Sequence, residues 1–193
     1  MNYRRQIPFA LVGLRFTLGP CFLLTYALGA PVWIYVSLLL TAIVSDILDG
    51  TLARRWDTVT PKLRRWDSNA DSVCFGLATI TVVMLRADYL APWRWPLAVV
   101  FLFIIGQNVL NVVRYGRQPA YHMWSGKIWS IIFCITLAAL FLERPCAWAI
   151  DLLIVVSLYN SIENITASAL LPRPMTDIPT IFRAIRIARD GDV

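Results

Sequence analysis

The chain of 193 residues is 58% hydrophobic and 16% charged, and its formal net charge is +6. Together with a mean hydropathy of +0.62, this composition excludes an ordinary soluble domain and is typical of an integral membrane protein. The four cysteines form no Cys-x-x-Cys pair and His122 is the only histidine, which argues against a disulfide framework, a zinc enzyme and a histidine-based triad.

Six apolar segments predict an all-α integral membrane protein with six transmembrane helices. The predicted spans cover about Phe9–Leu28, Val32–Trp56, Lys62–Leu85, Pro96–Arg114, Gly126–Leu142 and Ala147–Leu171. The first segment resembles a signal peptide, but Arg15 interrupts its apolar run and no soluble domain follows, so we interpret it as a membrane helix. We expect one membrane domain over residues 1–193, with an interfacial lead-in at residues 1–8 and a cytoplasmic amphipathic tail at residues 172–193.

The basic residues predict the orientation of these spans. Of the 18 Lys and Arg residues, fourteen fall on the side of the two termini, Arg15 lies within the first span, and only Arg86, Arg94 and Arg144 fall on the other side. Because basic loops stay in the cytoplasm, we expect both termini and the loop between the second and third spans to be cytoplasmic. A bacterial inner membrane is the expected location.

Four carboxylates mark the junction between the second and third spans. Asp46 and Asp49 are three residues apart and Asp67 and Asp71 are four apart, so each pair shares one face of a helix. Two such helices facing each other would bring the four carboxylates together in a polar cavity that faces the cytoplasm. Carboxylates this close repel one another unless a cation lies between them, and all-oxygen ligands suit Mg²⁺ or Mn²⁺. Acids at membrane depth indicate a functional site.

Small residues and an arginine follow the second acid. Gly50 and Ala53 leave space on the face next to Asp49, and Arg54 offers a planar donor fork that suits a phosphate. With a metal, these residues indicate a nucleotide diphosphate. The depth of the site in the membrane indicates that the rest of the substrate is a lipid.

This stretch closely resembles the signature of the CDP-alcohol phosphatidyltransferase family, Asp-x-x-Asp-Gly-x-x-Ala-Arg-x8-Gly-x3-Asp-x3-Asp. The matching positions are Asp46, Asp49, Gly50, Ala53, Arg54, Asp67 and Asp71. Leu63 stands where the family has its second glycine, and the first span lacks the Asn and Thr of the usual family pattern Ile-Pro-Asn-x-Leu-Thr-x-x-Arg. The six-span layout also fits this family.

The resemblance implies a metal-dependent transferase of phospholipid synthesis. The residues implied to hold two divalent cations, Mg²⁺ or Mn²⁺, are Asp46, Asp49, Asp67 and Asp71. The residues implied to line the CDP pocket are Gly50, Ala53, Arg54 and Thr60. Asp71 is implied as the catalytic base, which takes the proton from an acceptor hydroxyl that attacks the lipid-side phosphorus and expels CMP.

The implied partners are CDP-diacylglycerol, a small alcohol acceptor and membrane lipids. Relatives are commonly homodimers, and no nucleic-acid partner is expected. The segment around the last two acids, Asp67–Gly76, looks more like the phosphatidylserine synthase branch than like enzymes that use a glycerol phosphate acceptor. It does not assign serine, and the acceptor stays open.

Two other functions remain open. Intramembrane acids also mark the ion paths of transporters, although these acids cluster on one side and no inverted repeat is visible. The bulk of Leu63 also leaves open a catalytically silent relative. Arg15 has two interpretations, a contact with a lipid phosphate or acceptor, or snorkelling or pairing with a buried acid. The polar residues expected to hydrogen-bond between helices or to need buried partners are Gln107, Asn108, Asn111, Asn160 and Glu163.

Overall fold

The computed structural model describes residues 3–119, 121, 123–144, 147–175 and 178–190, so His122 and Cys146 lie outside the described residues. All regular structure in these residues is helical. The α-helices are α1 (Tyr3–Ala27), α2 (Val32–Arg55), α3 (Pro61–Leu85), α4 (Ala87–Leu90), α5 (Arg94–Tyr115), α6 (Trp124–Phe141), α7 (Ala147–Leu170) and α8 (Ile181–Asp190). A 3₁₀ turn, Ala91–Trp93, joins α4 to α5.

Six segments of the described chain are long and apolar enough to cross a membrane. They are Gln6–Ala27, Val32–Arg55, Lys62–Leu85, Ala87–Tyr115, Trp124–Phe141 and Ala147–Leu170. The prediction of an all-α membrane fold with six spans is therefore confirmed. Two boundaries differ from the prediction. Helix α1 already begins at Tyr3 and includes Pro8, and the fourth span begins at Ala87, earlier than the predicted start at Pro96.

Capping and turn residues set the helix ends. The Thr60 hydroxyl accepts a hydrogen bond from the Leu63 amide at 3.1 Å, and Pro61 occupies the first helical position, so α3 begins with an N-cap. Gly116 ends α5 at a φ of +66°, a left-handed conformation that favours glycine. Gly29, at a φ of +61°, makes the corresponding turn between α1 and α2.

The packing divides the chain into two compact units. The first comprises Met1–Tyr89 and Leu137–Arg144, and the second comprises Leu90–Thr136 and Pro145–Val193. The first unit therefore holds α1 to α3, most of α4 and the end of α6. The second holds α5, most of α6, α7 and α8. That the chain forms a single domain stays a prediction.

Helix α1 is central to the first unit because it packs against both α2 and α3. Phe22 of α1 is fully buried, and its ring stacks at 5.6 Å on Phe141, which in turn stacks at 5.3 Å on Tyr35 of α2. These aromatic contacts bring α1, α2 and the end of α6 together.

Hydrogen bonds between polar side chains support the second unit. The Ser168 hydroxyl of α7 donates to Asn111 Oδ1 of α5 at 2.6 Å and lies 2.9 Å from the Tyr121 hydroxyl. Burial raises the pKa of Tyr121 to about 12, so this hydroxyl stays neutral. The prediction of a bond between helices is confirmed for Asn111. It is wrong for the Asn108 side chain, which donates to the Ile104 carbonyl of its own helix at 2.7 Å.

The tail helix α8 is anchored at its start by the buried Glu163. Glu163 Oε1 of α7 accepts a hydrogen bond from the Ile181 amide at 3.0 Å, and the Ile178 amide donates to the Tyr121 carbonyl at 2.8 Å. Glu163 therefore finds its partner at a helix N-terminus, where a negative charge is favourable. Phe182, on the outer face of α8, is 76% exposed.

Candidate active site

Four carboxylates from α2 and α3 converge in the first unit. Asp46 and Asp49 lie about one turn apart towards the end of α2, and Asp67 and Asp71 lie about one turn apart in the first half of α3. Asp46, Asp49 and Asp67 each offer one oxygen, and these three oxygens lie within 4.8 Å of one another. The two acid-bearing helix faces therefore meet, as the spacing predicts.

The guanidinium of Arg15, on α1, occupies the space between the acids. Its Nη1 donates to Asp46 Oδ1 at 2.7 Å and also to Asp71. Its Nη2 donates to Asp67 Oδ1 at 2.5 Å and also to Asp49. Each terminal nitrogen thus joins one acid of α2 to one acid of α3. Of the two interpretations of Arg15, the structure supports pairing with the acids.

The members of this cluster differ in their exposure to solvent. The Arg15 side chain is fully buried and Asp49 is 5% exposed, whereas Asp46, Asp67 and Asp71 are 44%, 37% and 35% exposed. A buried charge is costly unless an opposite charge pairs with it, and Arg15 and Asp49 meet that condition for each other. The three more exposed acids remain accessible to a ligand.

The position of Arg15 depends on a close crossing of α1 and α3. Gly19 lies four residues after Arg15, and a Cβ there would lie 3.2 Å from the Cα of Cys74 and from the carbonyl oxygen of Val73. Only a residue without a side chain lets the two backbones approach this closely. Gly19 is not among the residues predicted from the motif. Its spacing from Arg15 was the available signal, because residues four apart share one helix face.

Gly50 and Arg54 lie beside the acids on α2. The Arg54 side chain folds over Gly50, where an added Cβ would lie 3.7 Å from Nη1 of Arg54. Arg54 is exposed at the end of the helix. The arrangement leaves a planar donor fork accessible a little more than one turn beyond Asp49.

Two other positions of the motif face an apolar contact between helices. Ala53 and Leu63 are 4% and 6% exposed and pack with Val12 and Ala70. The bulk of Leu63 is therefore accommodated among α1, α2 and α3, and does not fill the space between the acids. The hydroxyl of Thr60 is engaged as the N-cap of α3. Contacts of Ala53 and Thr60 with a nucleotide stay predictions.

The chemistry of the acid cluster fits a divalent cation. Its donors are carboxylate oxygens from two helices, and such hard oxygen ligands are those that Mg²⁺ and Mn²⁺ prefer. The guanidinium of Arg15 among these oxygens shows that the cluster accommodates positive charge. Asp46, Asp49 and Asp67 are thus suitable metal ligands. Asp71 is hydrogen-bonded to the same guanidinium and therefore lies beside these three acids.

A comparison with known protein families supports the family resemblance of the Asp-rich motif. A model of the CDP-alcohol phosphatidyltransferase family matches residues 5–162, which include Arg15, all four acids and most of the apolar helices. Neither a curated protein nor a solved structure matches the chain significantly. The family is generally dependent on divalent metals. The chain therefore belongs to the CDP-alcohol phosphatidyltransferase family, whose members transfer a phosphate-linked group from a CDP-alcohol in lipid synthesis.

Proposed function

We propose that this chain transfers a phosphatidyl group from CDP-diacylglycerol to the hydroxyl of a small alcohol and releases CMP. The observation that carries this proposal is the convergence of four signature acids from two helices around one point. The described residues form six helices that are apolar enough to cross a membrane, which supports a lipid substrate.

The proposed reaction makes one bond to phosphorus and breaks another. The acceptor oxygen bonds to the phosphorus that carries the diacylglycerol, and the bond from that phosphorus to the oxygen of CMP breaks. CMP leaves with the bonding electrons, and the acceptor proton passes to a carboxylate oxygen of Asp71. Asp71 is suited to this role because it is partly exposed, and a positioned base contributes roughly 10²–10⁴ in rate.

The ligands proposed for two divalent cations, Mg²⁺ or Mn²⁺, are Asp46, Asp49, Asp67 and Asp71. When bound, the cations would neutralise the pyrophosphate and stabilise the attacking and leaving oxygens. The contribution of the chain is to hold the carboxylates on two packed helices, so that little reorganisation is needed when the substrate binds. Asp49 is the most buried of the four acids.

The neighbouring residues of α2 and the start of α3 are proposed to bind CDP. The exposed guanidinium of Arg54 can donate to a phosphate oxygen, and Gly50 keeps the helix surface beneath it open. Ala53 and Thr60 complete the proposed pocket. This part of the proposal rests on likeness to the family, because Ala53 is buried between helices and the Thr60 hydroxyl caps α3.

We also propose that the site opens to the cytoplasm of a bacterial inner membrane. Basic residues dominate the loops on the side of the acid cluster, as the positive-inside rule requires of a cytoplasmic face. A homodimer is proposed as the working assembly, by likeness to the family.

The experiment that tests the proposed function is CMP release by the purified chain. The protein receives CDP-diacylglycerol, Mg²⁺ or Mn²⁺, and one alcohol from a panel of glycerol phosphate, serine, an inositol compound and choline. We expect CMP release with one acceptor and a matching phospholipid product, and no product when the alcohol is omitted. Folded protein that releases no CMP with any acceptor would instead support the catalytically silent relative.

A further inference from the structure

Arg15 is the one cation that contacts all four acids within the described residues. We propose that Arg15 is an internal counter-ion, which occupies the acid cluster in the metal-free protein and leaves it when divalent cations bind. This inference rests on the proposed use of metal at the same acids. It adds a binding role for a residue that lies outside the Asp-rich motif.

The charges of the cluster create a competition between Arg15 and the metal. Four carboxylates close together at membrane depth are costly unless positive charge lies among them. One guanidinium balances one of the four negative charges, whereas two divalent cations balance all of them. A guanidinium that stayed beside two divalent cations would add repulsion in surroundings that screen charge weakly. The cluster therefore favours one type of cation at a time.

Arg15 contacts the same carboxylates that are proposed to bind the metal. Nη1 and Nη2 bind Asp46 and Asp67 at 2.7 and 2.5 Å, and they also bind Asp71 and Asp49. These are the carboxylates proposed as metal ligands. A metal ion between the carboxylates would therefore compete with the guanidinium for the same space.

Only the two terminal nitrogens of Arg15 hold its guanidinium in the cluster by hydrogen bonds. Its Nε has no hydrogen-bond partner in the part of the chain that the structure describes, so only the two terminal nitrogens hold the guanidinium. The backbone of α1 is fixed against α3 at Gly19. The proposed departure is a rotation about the side-chain bonds of Arg15, with α1 left in place.

A purely structural role for Arg15 makes the opposite prediction. If Arg15 only kept the four carboxylates together, its removal would spread them apart and weaken metal binding. If Arg15 competes with the metal, its removal strengthens metal binding. The direction of the change thus separates the two roles without any measurement of catalysis.

The experiment compares Mn²⁺ binding by the full chain and by Arg15→Gln, with no CDP-lipid present. Free Mn²⁺ is measured by electron paramagnetic resonance during titration of the purified proteins. We expect the Kd for Mn²⁺ to fall at least roughly tenfold in Arg15→Gln, because the competing charge is gone. Arg86→Gln is the matched control. Arg86 pairs with Glu143 at 2.7 Å, away from the acid cluster, so the Kd should stay unchanged.

Thermal unfolding of the same proteins gives a second readout. In chelator, Arg15→Gln should melt below the unmodified chain because its acids lack a counter-ion. In saturating Mn²⁺ the two should melt together. If Arg15→Gln melts below the unmodified chain by the same amount in chelator and in Mn²⁺, Arg15 has a structural role only. That result would overturn the inference.

The remaining outcomes are also decisive. A Kd that is unchanged or raised in Arg15→Gln overturns the inference and leaves the proposed function intact, since the unmodified chain still binds Mn²⁺. An absence of Mn²⁺ binding in both proteins contradicts the proposed metal site itself. If Arg15→Gln does not fold, Arg15→Lys decides the question. Its single ammonium group cannot contact four carboxylates as the guanidinium does, so its Kd should also fall, and an unchanged Kd overturns the inference.

Discussion

Replacing Leu63 with glycine separates the packing of this side chain from any effect on the nucleotide site. Leu63 is 6% exposed and packs with Val12, Ala53 and Ala70 between three helices. Truncation of a buried Leu to Ala costs about 2–5 kcal/mol, and glycine in place of alanine adds up to about 1 kcal/mol within a helix. Leu63 lies in the first turn of α3, where the helix cost of glycine is small. We therefore expect Leu63→Gly to lose roughly 3 kcal/mol of stability.

The assay is thermal unfolding of the purified chain, combined with CDP-lipid binding by the folded protein. A loss of this size corresponds to a decrease of about 6–12 °C in melting temperature for a chain of this length. The affinity for CDP-lipid should stay within a few-fold, because the Leu63 side chain lies outside the space between the acids. Leu40→Gly is the control. Leu40 is 56% exposed on α2, so its replacement should cost little more than the helix penalty.

Two results would refute this reasoning. An unchanged melting temperature would show that Leu63 does not pack between the helices. A large gain in CDP-lipid affinity, starting from an inactive parent, would show that its bulk occludes the site. That second result would favour the catalytically silent relative.

Three further predictions follow from other parts of the structure. Excess chelator should abolish CMP release and added Mg²⁺ or Mn²⁺ should restore it, because without a cation the four carboxylates repel a pyrophosphate. Full activity in chelator would contradict the proposed metal site. Gly19→Val should destabilise the chain by about 1–3 kcal/mol through overpacking, measured as a lower melting temperature. The control, Gly13→Val, lies on the same helix with open space around it, so it should unfold at nearly the parent temperature. Glu163→Ala removes the partner of the Ile181 amide, so amide hydrogen exchange in α8 should accelerate. The control, Glu143→Ala at an exposed position, should leave this exchange unchanged. Equal exchange in the two variants would mean that Glu163 does not anchor α8.

The sequence predicted the parts of this site that depend on local periodicity. The three- and four-residue spacings of the acids fix which helix faces they share, and the apolar runs fix the six spans. The N-cap at Thr60 was also readable, since a Thr followed by Pro is a common helix start. The family resemblance implies for Thr60 only a role at the nucleotide.

The features that could not be predicted depend on packing between distant segments. The Arg15 side chain could have pointed to lipid headgroups or to buried acids, and only the position of α1 against α2 and α3 decides between them. The sequence leaves the effect of the Leu63 bulk open, because its apolar neighbours Val12 and Ala53 on α1 and α2 are far away in sequence. Glu163 finds its partner 18 residues later, at the start of a helix beyond the last span.

The most direct test of the proposed chemistry compares CMP release by the parent, Asp71→Asn and Asp57→Asn. Asparagine keeps the size of aspartate and one oxygen, but it removes the base and one negative charge. Asp57 lies outside the signature at a φ of +53°, a conformation that asparagine also adopts readily, so its replacement should not disturb the fold. We expect Asp57→Asn to stay within a few-fold of the parent. Asp71→Asn should fold, bind CDP-lipid weakly and lose turnover by at least roughly a hundredfold. If the two variants release CMP at the same rate, the role proposed for Asp71 is wrong.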